Sequence, residues 1–113
     1  MWKKIYKHLK SKGFDVYSPA QHEGVCTEPY IVLRNAGELN KDSHSNGIYD
    51  ILVYFPKGKY SKLEDYRLSL VKVLSELDYL KKTGLETPVI YEDDIKAYSF
   101  SIQYILMKAK GGI

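Results

Sequence analysis

Gly47-Ile48-Tyr49-Asp50-Ile51-Leu52-Val53-Tyr54-Phe55-Pro56-Lys57-Gly58-Lys59-Tyr60-Ser61-Lys62-Leu63-Glu64 opens the stretch that decides the fold. Residues 47–55 alternate as a strand does, with Tyr49, Ile51, Val53 and Phe55 on one face and Asp50, Leu52 and Tyr54 on the other. Pro56 removes a ladder donor and Gly58 permits unusual backbone angles, so a turn follows. Ser61 and Glu64 have the spacing of a capping box. Leu63, Tyr66, Leu70, Val73, Leu74, Leu77 and Leu80 then recur at helical spacing, which predicts one long helix over 61–80. Lys81, Lys82, Thr83 and Gly84 read as its cationic, glycine-capped end.

Working towards the N-terminus, 36–46 is polar and long for a hairpin connection, so it reads either as an arm that reaches a neighbour or as an insertion without a role. Residues 29–35 form a strand, with Ile31 and Leu33 opposite Tyr30, Val32 and Arg34. Residues 18–24 are a loop, and 14–17 a short strand or an extended lead-out. Trp2, Ile5, Tyr6 and Leu9 share one face of a helix over 2–11, closed by Gly13. Its remaining face is lysine-rich, which suits either solvent and the helix dipole or an acidic partner.

Towards the C-terminus, 88–91 is a brief extended piece and Glu92-Asp93-Asp94 an acidic turn. Residues 95–108 alternate strictly, with Tyr98, Phe100, Ile102, Tyr104 and Leu106 set against Ser99, Ser101, Gln103, Ile105 and Met107. The expected class is α+β in two layers: an antiparallel sheet of about four strands with two helices on one face. Those helices should cover Ile31, Leu33, Ile51, Val53, Phe100 and Ile102.

The 113 residues suit a single domain, 1–113, large enough for a core without metal or disulfide staples. A hydrophobic content of 44% and a charged content of 27% are those of a globular protein. One cysteine excludes an internal disulfide. A net charge of +3 is too mild to indicate nucleic acid by itself. No run approaches the ~20 apolar residues of a membrane-spanning helix. The 11 tyrosines serve either as strand residues or as partner contacts.

Chemistry is sparse. His22 and Cys26 make a weak candidate thiolate pair with no third member, against an inert cysteine. Glu92, Asp93 and Asp94 lack the spacing of a calcium loop. His8, His22 and His44 show no zinc spacing, and no phosphate-binding or nucleophile-elbow motif is present. The expectation is therefore no catalytic residue, no cofactor and no metal. The outer sheet face is too apolar for water alone and too polar for a second core, which suggests self-association. Together with the polar arm, it nominates Tyr30, Arg34, Lys41, Asp42, His44, Tyr54, Gln103 and Ile105 as interface residues.

Several segments in order resemble one family. They are Trp2-Lys3-Lys4-Ile5-Tyr6, Val25-Cys26-Thr27-Glu28-Pro29-Tyr30-Ile31-Val32 and Tyr49-Asp50-Ile51-Leu52-Val53-Tyr54-Phe55-Pro56 with Tyr60-Ser61-Lys62-Leu63-Glu64. Thr87-Pro88-Val89-Ile90-Tyr91-Glu92-Asp93-Asp94-Ile95-Lys96-Ala97 and Ser101-Ile102-Gln103-Tyr104 complete the set. Over nearly the whole chain the sequence is similar to small tail terminator (tail completion) proteins of long-tailed phages and prophages of Gram-positive bacteria.

The resemblance implies a structural protein of the head–tail junction, assembled in the host cytoplasm and without catalysis. Such proteins form a ring, usually a hexamer, on the last ring of tail tube protein. The ring stops tube growth and receives the connector of the filled head, and DNA passes through its lumen as cargo. No membrane is involved. Three alternatives stand beside it. The first is a head-side connector protein; the second is a nucleic-acid module stacking bases on Tyr30 and Tyr54. The third is a small enzyme using Cys26 or the acidic turn.

Overall fold

The computed structural model describes the backbone of residues 1–41 and 44–107 and the side chains of 1–37 and 47–107. The elements are α1 (Trp2–Ser11), β1 (Val16–Tyr17), β2 (Tyr30–Lys41), β3 (His44–Pro56), α2 (Leu63–Leu74), β4 (Leu80–Glu86), β5 (Ile90–Glu92) and β6 (Ala97–Leu106). The strands make one sheet in the order β1-β2-β3-β6-β4, with β5 also paired to β6. Because β3 occupies one side of β6 along its length, β4 and β5 follow one another along the other side.

The α+β class is as expected, but the sheet is mixed and has six strands. β1 runs parallel to β2, pairing Val16 with Ile31 and Tyr17 with Val32. A parallel neighbour needs a crossover, and residues 18–29 supply it by passing over the outer sheet face. A two-residue strand offers no alternation to read.

Alternation decides the core. Tyr49, Ile51, Val53 and Phe55 of β3 are buried together with Ile31 and Leu33 of β2 and Phe100, Ile102 and Tyr104 of β6. Ile5 and Leu9 of α1 and Leu63, Leu70 and Leu74 of α2 cover them, so both helices lie on one face. α1 ends as its sequence requires. Gly13 takes φ +92°, its N–H donates to Lys10 O at 3.0 Å, and that of Phe14 donates to Leu9 O at 3.1 Å. This is a Schellman cap, which satisfies the last carbonyls. The Trp2 indole N–H donates to Leu33 O at 2.7 Å and ties α1 to the sheet.

α2 departs from expectation at both ends. It begins at Leu63 with Lys62 as N-cap, and no side chain makes a capping bond, so the Ser61–Glu64 box does not form. Residues Tyr60–Lys62 make a 3-10 turn instead. Glu64 and Asp65 still sit in the first turn, where the helix dipole favours them. The helix stops at Leu74, where the Ser75 hydroxyl donates back to Lys72 O at 2.6 Å. Leu80 is buried as expected, but as the first residue of β4 opposite Leu106. Lys81, Lys82, Thr83 and Gly84 belong to that strand, and Gly84, at φ +95°, sits where its register shifts. Pairing with the free side of β6 outweighs the local helical pattern.

The described part of the polar segment 36–46 continues the pairing of β2 with β3, with Leu39 opposite Asn46 and Lys41 opposite His44. The strands slip past each other between Asn35 and Gly37, where Asn35 Oδ1 accepts from the Gly37 N–H at 3.0 Å. The pairing of β3 with β6 begins at Ile48, so the described backbone beyond it is a two-stranded ribbon. A ribbon is joined by backbone bonds, which a polar sequence does not announce. Asp42 lies outside the described residues, as do the side chains of Lys41 and His44.

Two leucines on α2 test this arrangement. Leu74 is 0% exposed and Leu68 54% exposed. Leu74→Ala is expected to lower unfolding free energy by about 2–5 kcal/mol, and Leu68→Ala by less than about 0.5 kcal/mol. Urea denaturation of the two variants measures both; equal losses would place α2 the wrong way round.

Candidate assembly surface

The outer face is built in cross-strand rows. Tyr30 lies opposite Tyr54, and Tyr54 opposite Ser99. The next row is Val32, Leu52 and Ser101, and the next Arg34, Asp50 and Gln103. Ile48 and Ile105 follow, with Lys81 of β4 beside Ile105. Towards the ribbon the rows thus run from aromatic through aliphatic to charged, then back to aliphatic at Ile48 and Ile105.

Tyr30 is only 5% exposed, contrary to its expected place on an open face. The crossover covers it. The His22 ring stacks on Tyr30 at 3.8 Å, and Tyr54 stacks beside it at 4.9 Å. Cys26, Tyr30 and Ala97 form a small second core with Tyr17, Val32, Tyr54 and Ile95 against it. The Cys26 N–H donates to Ile95 O at 2.8 Å and pins the crossover to the β5–β6 turn. The proposed base-stacking platform is therefore already occupied by the chain's own histidine.

The other nominated residues fall as follows. Arg34 pairs with Asp50 at 2.6 Å, with the arginine exposed and the carboxylate mostly shielded. Gln103 accepts from the Thr83 hydroxyl at 2.9 Å. Ile105 and Tyr54 are half-buried. Arg34, Tyr54, Gln103 and Ile105 thus share one face, whereas the backbone of Lys41 and His44 belongs to the ribbon and Asp42 lies outside the described residues.

Sequence reasoning missed the opposite edge. Leu85, Val89, Ile90 and Tyr91 are all exposed, Leu85 by 61% and Ile90 by 56%. They run along the β4–β5 side of the sheet, Leu85 in β4, Val89 between the strands and Ile90 and Tyr91 in β5, which has only β6 as a neighbour among the described pairings. The signal is present in Leu85-Glu86-Thr87-Pro88-Val89-Ile90-Tyr91, but reading 88–91 as a brief extended piece does not say which strand it joins or that its apolar side chains stay exposed. Tyr91, Tyr98 and Tyr60 extend the patch through ring contacts of 4.9–5.3 Å.

The candidate chemistry does not assemble. Cys26 is buried, its thiol donates to Glu28 O at 3.3 Å, and burial, then Glu28, pushes its pKa up. His22 packs against Tyr17 and Tyr30. Of the acidic turn, Glu92 accepts from the Ser99 hydroxyl while Asp93 pairs with Lys96, so the carboxylates diverge. Among the described residues, no three His, Cys, Asp or Glu side chains come together as metal ligands. No described helix is long and apolar enough to cross a membrane.

Compared with protein-family models and with curated protein sequences, the chain matches none.

The buried phenols give the fold a pH signature. Burial, helped by nearby Cys26, Tyr54 and Glu92, pushes Tyr30 up to about 12. Burial and Glu86, opposed by Arg67, push Tyr104 up to about 12. A phenol whose folded pKa exceeds its unfolded value of 10.0 stabilises the fold fully below that value. The contribution is lost as pH rises towards 12. Stability should therefore fall across that window, and Tyr30→Phe or Tyr104→Phe should make the fall shallower. Chemical denaturation from neutral pH upward measures it; an unchanged slope in both variants would contradict the burial of these hydroxyls.

Proposed function

We propose that this chain is a structural subunit of a phage tail: a ring on the end of the tail tube that stops its growth and offers the head a docking surface. The observation that carries the reading is the pair of unlike open edges on one small sheet. One is the apolar edge of Leu85, Val89, Ile90 and Tyr91. The other is the β2 side, where β1 covers only Ile31 and Val32 and the ribbon continues beyond. A ring forms from a heterologous contact repeated until it closes, so each subunit needs two different patches. An exposed apolar stretch on a strand edge is otherwise a hazard for a monomer. The sequence resemblance supports the same reading, with tail tube protein and head connector as neighbours and DNA as cargo. The outer face bearing Arg34, Tyr54, Gln103 and Ile105 is free for such neighbours in part. The burial of Tyr30 under His22 weakens the base-stacking alternative.

Deleting the gene from its source phage or prophage tests the role. Negative-stain images should show overlong or unjoined tails beside filled, tailless heads. Tails of normal length with headless joints would move the protein to the head side of the neck, and normal infectious particles would refute the structural role. Complementation adds the edge to the test. A Leu85→Glu, Ile90→Glu double variant should fold, because both side chains are exposed, yet fail to restore joined particles. Full rescue would remove the apolar edge from the assembly.

A further inference from the structure

Two cavities on the outer face share Leu52, Tyr54 and Glu92. The larger, of about 350 Å³, adds Ala20, His22 and Arg34 to its walls. The smaller, of about 250 Å³, is walled by Pro88, Ile90 and Phe100. Glu92 is half-buried and has no ion-pair partner among the described residues, its one hydrogen bond there being to the Ser99 hydroxyl. His22 Nδ1 is buried and meets no partner among the described residues; with the proton on Nε2 it is an acceptor. Its ring packs against Tyr17 and Tyr30, so His22 serves as a wall of the cavity. Arg34 brings no net positive charge, because Asp50 holds it at 2.6 Å. Glu92 is thus the unmatched charge, and Tyr54 presents an aromatic ring beside it. Ala20 adopts φ +67°, a left-handed backbone that a non-glycine residue holds at a cost, on the wall of the same cavity.

We infer that this double cavity receives an arginine side chain of a partner protein, followed by an apolar residue. A guanidinium is a donor-only group that stacks on aromatic rings and pairs with carboxylates in a fork. Glu92 and the Tyr54 ring are its two complements. The apolar neighbour sits between Leu52, Pro88 and Ile90, next to the exposed edge. A lysine ammonium satisfies the charge but neither the fork nor the stacking. The chain's own Arg67 is already committed to Glu86, which favours a partner of different sequence. The site goes beyond the ring reading and does not require it: a chain that never closes a ring keeps the pocket.

The test uses three short peptides, acetyl-Leu-Arg-Leu-amide and its lysine and glutamine counterparts, titrated into the ¹⁵N-labelled chain. The arginine peptide should shift the amides of His22, Tyr54, Ile90 and Glu92, the lysine peptide should bind more weakly, and the glutamine peptide should bind about tenfold more weakly or not at all. Glu92→Gln keeps an acceptor for Ser99 and should cost about tenfold in affinity for the arginine peptide alone. Equal binding of arginine and glutamine peptides would overturn the proposal. So would the absence of shifts for all three, or unchanged arginine binding by the folded Glu92→Gln variant. Deleting the gene could fail to alter tails while these shifts persist, so the two readings fail separately.

Discussion

The burial of β3 between two strands and beneath two helices is the constraint on which the structure depends. Tyr49, Ile51, Val53 and Phe55 can reach the dry side only if β3 keeps its register with both β2 and β6. A slip by one residue would send Asp50 and Tyr54 into the core and all four apolar side chains outward. α1 and α2 are held by that same row, α1 with the Trp2 bond to Leu33 O and α2 through Leu63, Leu70 and Leu74. His8 joins the two helices, its ring nitrogen 2.9 Å from Val73 O.

Once the helices occupy one face, the other face must be settled by what remains. The crossover from β1 to β2 settles half of it, sealing Tyr30 under His22 and Cys26 under the β5–β6 turn. The half nearer the ribbon keeps Arg34, Asp50 and Gln103 at the surface, where an ion pair and a hydrogen bond satisfy them. The same crossover walls the cavity in which Glu92 is unpaired among the described residues. Coverage of one end and openness of the other therefore have a single cause, the path of residues 18–29.

The core was legible in the sequence because alternation in β3 and β6 and the spacing of Ile5 and Leu9 leave little choice. What was not legible has a consistent reason. β4 was hidden because Leu77 and Leu80 continue the α2 spacing, and only a partner strand reveals that the backbone has turned. β1 is too short to show a period. The ribbon is stabilised by backbone bonds that no side-chain pattern records. On the outer face, Arg34, Tyr54, Gln103 and Ile105 were correctly placed together, since strand parity is local. Tyr30 was expected at the surface because parity names a face but not what lies over it. The apolar β5 edge was not legible because an extended reading of 88–91 does not reveal that β4 and β5 share β6 as a neighbour and leave Ile90 and Tyr91 exposed.

The central claim is that this small sheet ends a growing tube through contacts at its open edges. The most direct measurement mixes the purified chain with tail tube protein of the same particle under polymerising conditions. Tube lengths are then recorded by electron microscopy as the ratio of the two is varied. Tubes that shorten steadily as the chain is added, each carrying a ring at one end only, are the expected result. Tubes of unchanged length with bare ends, at every ratio tested, would contradict the claim.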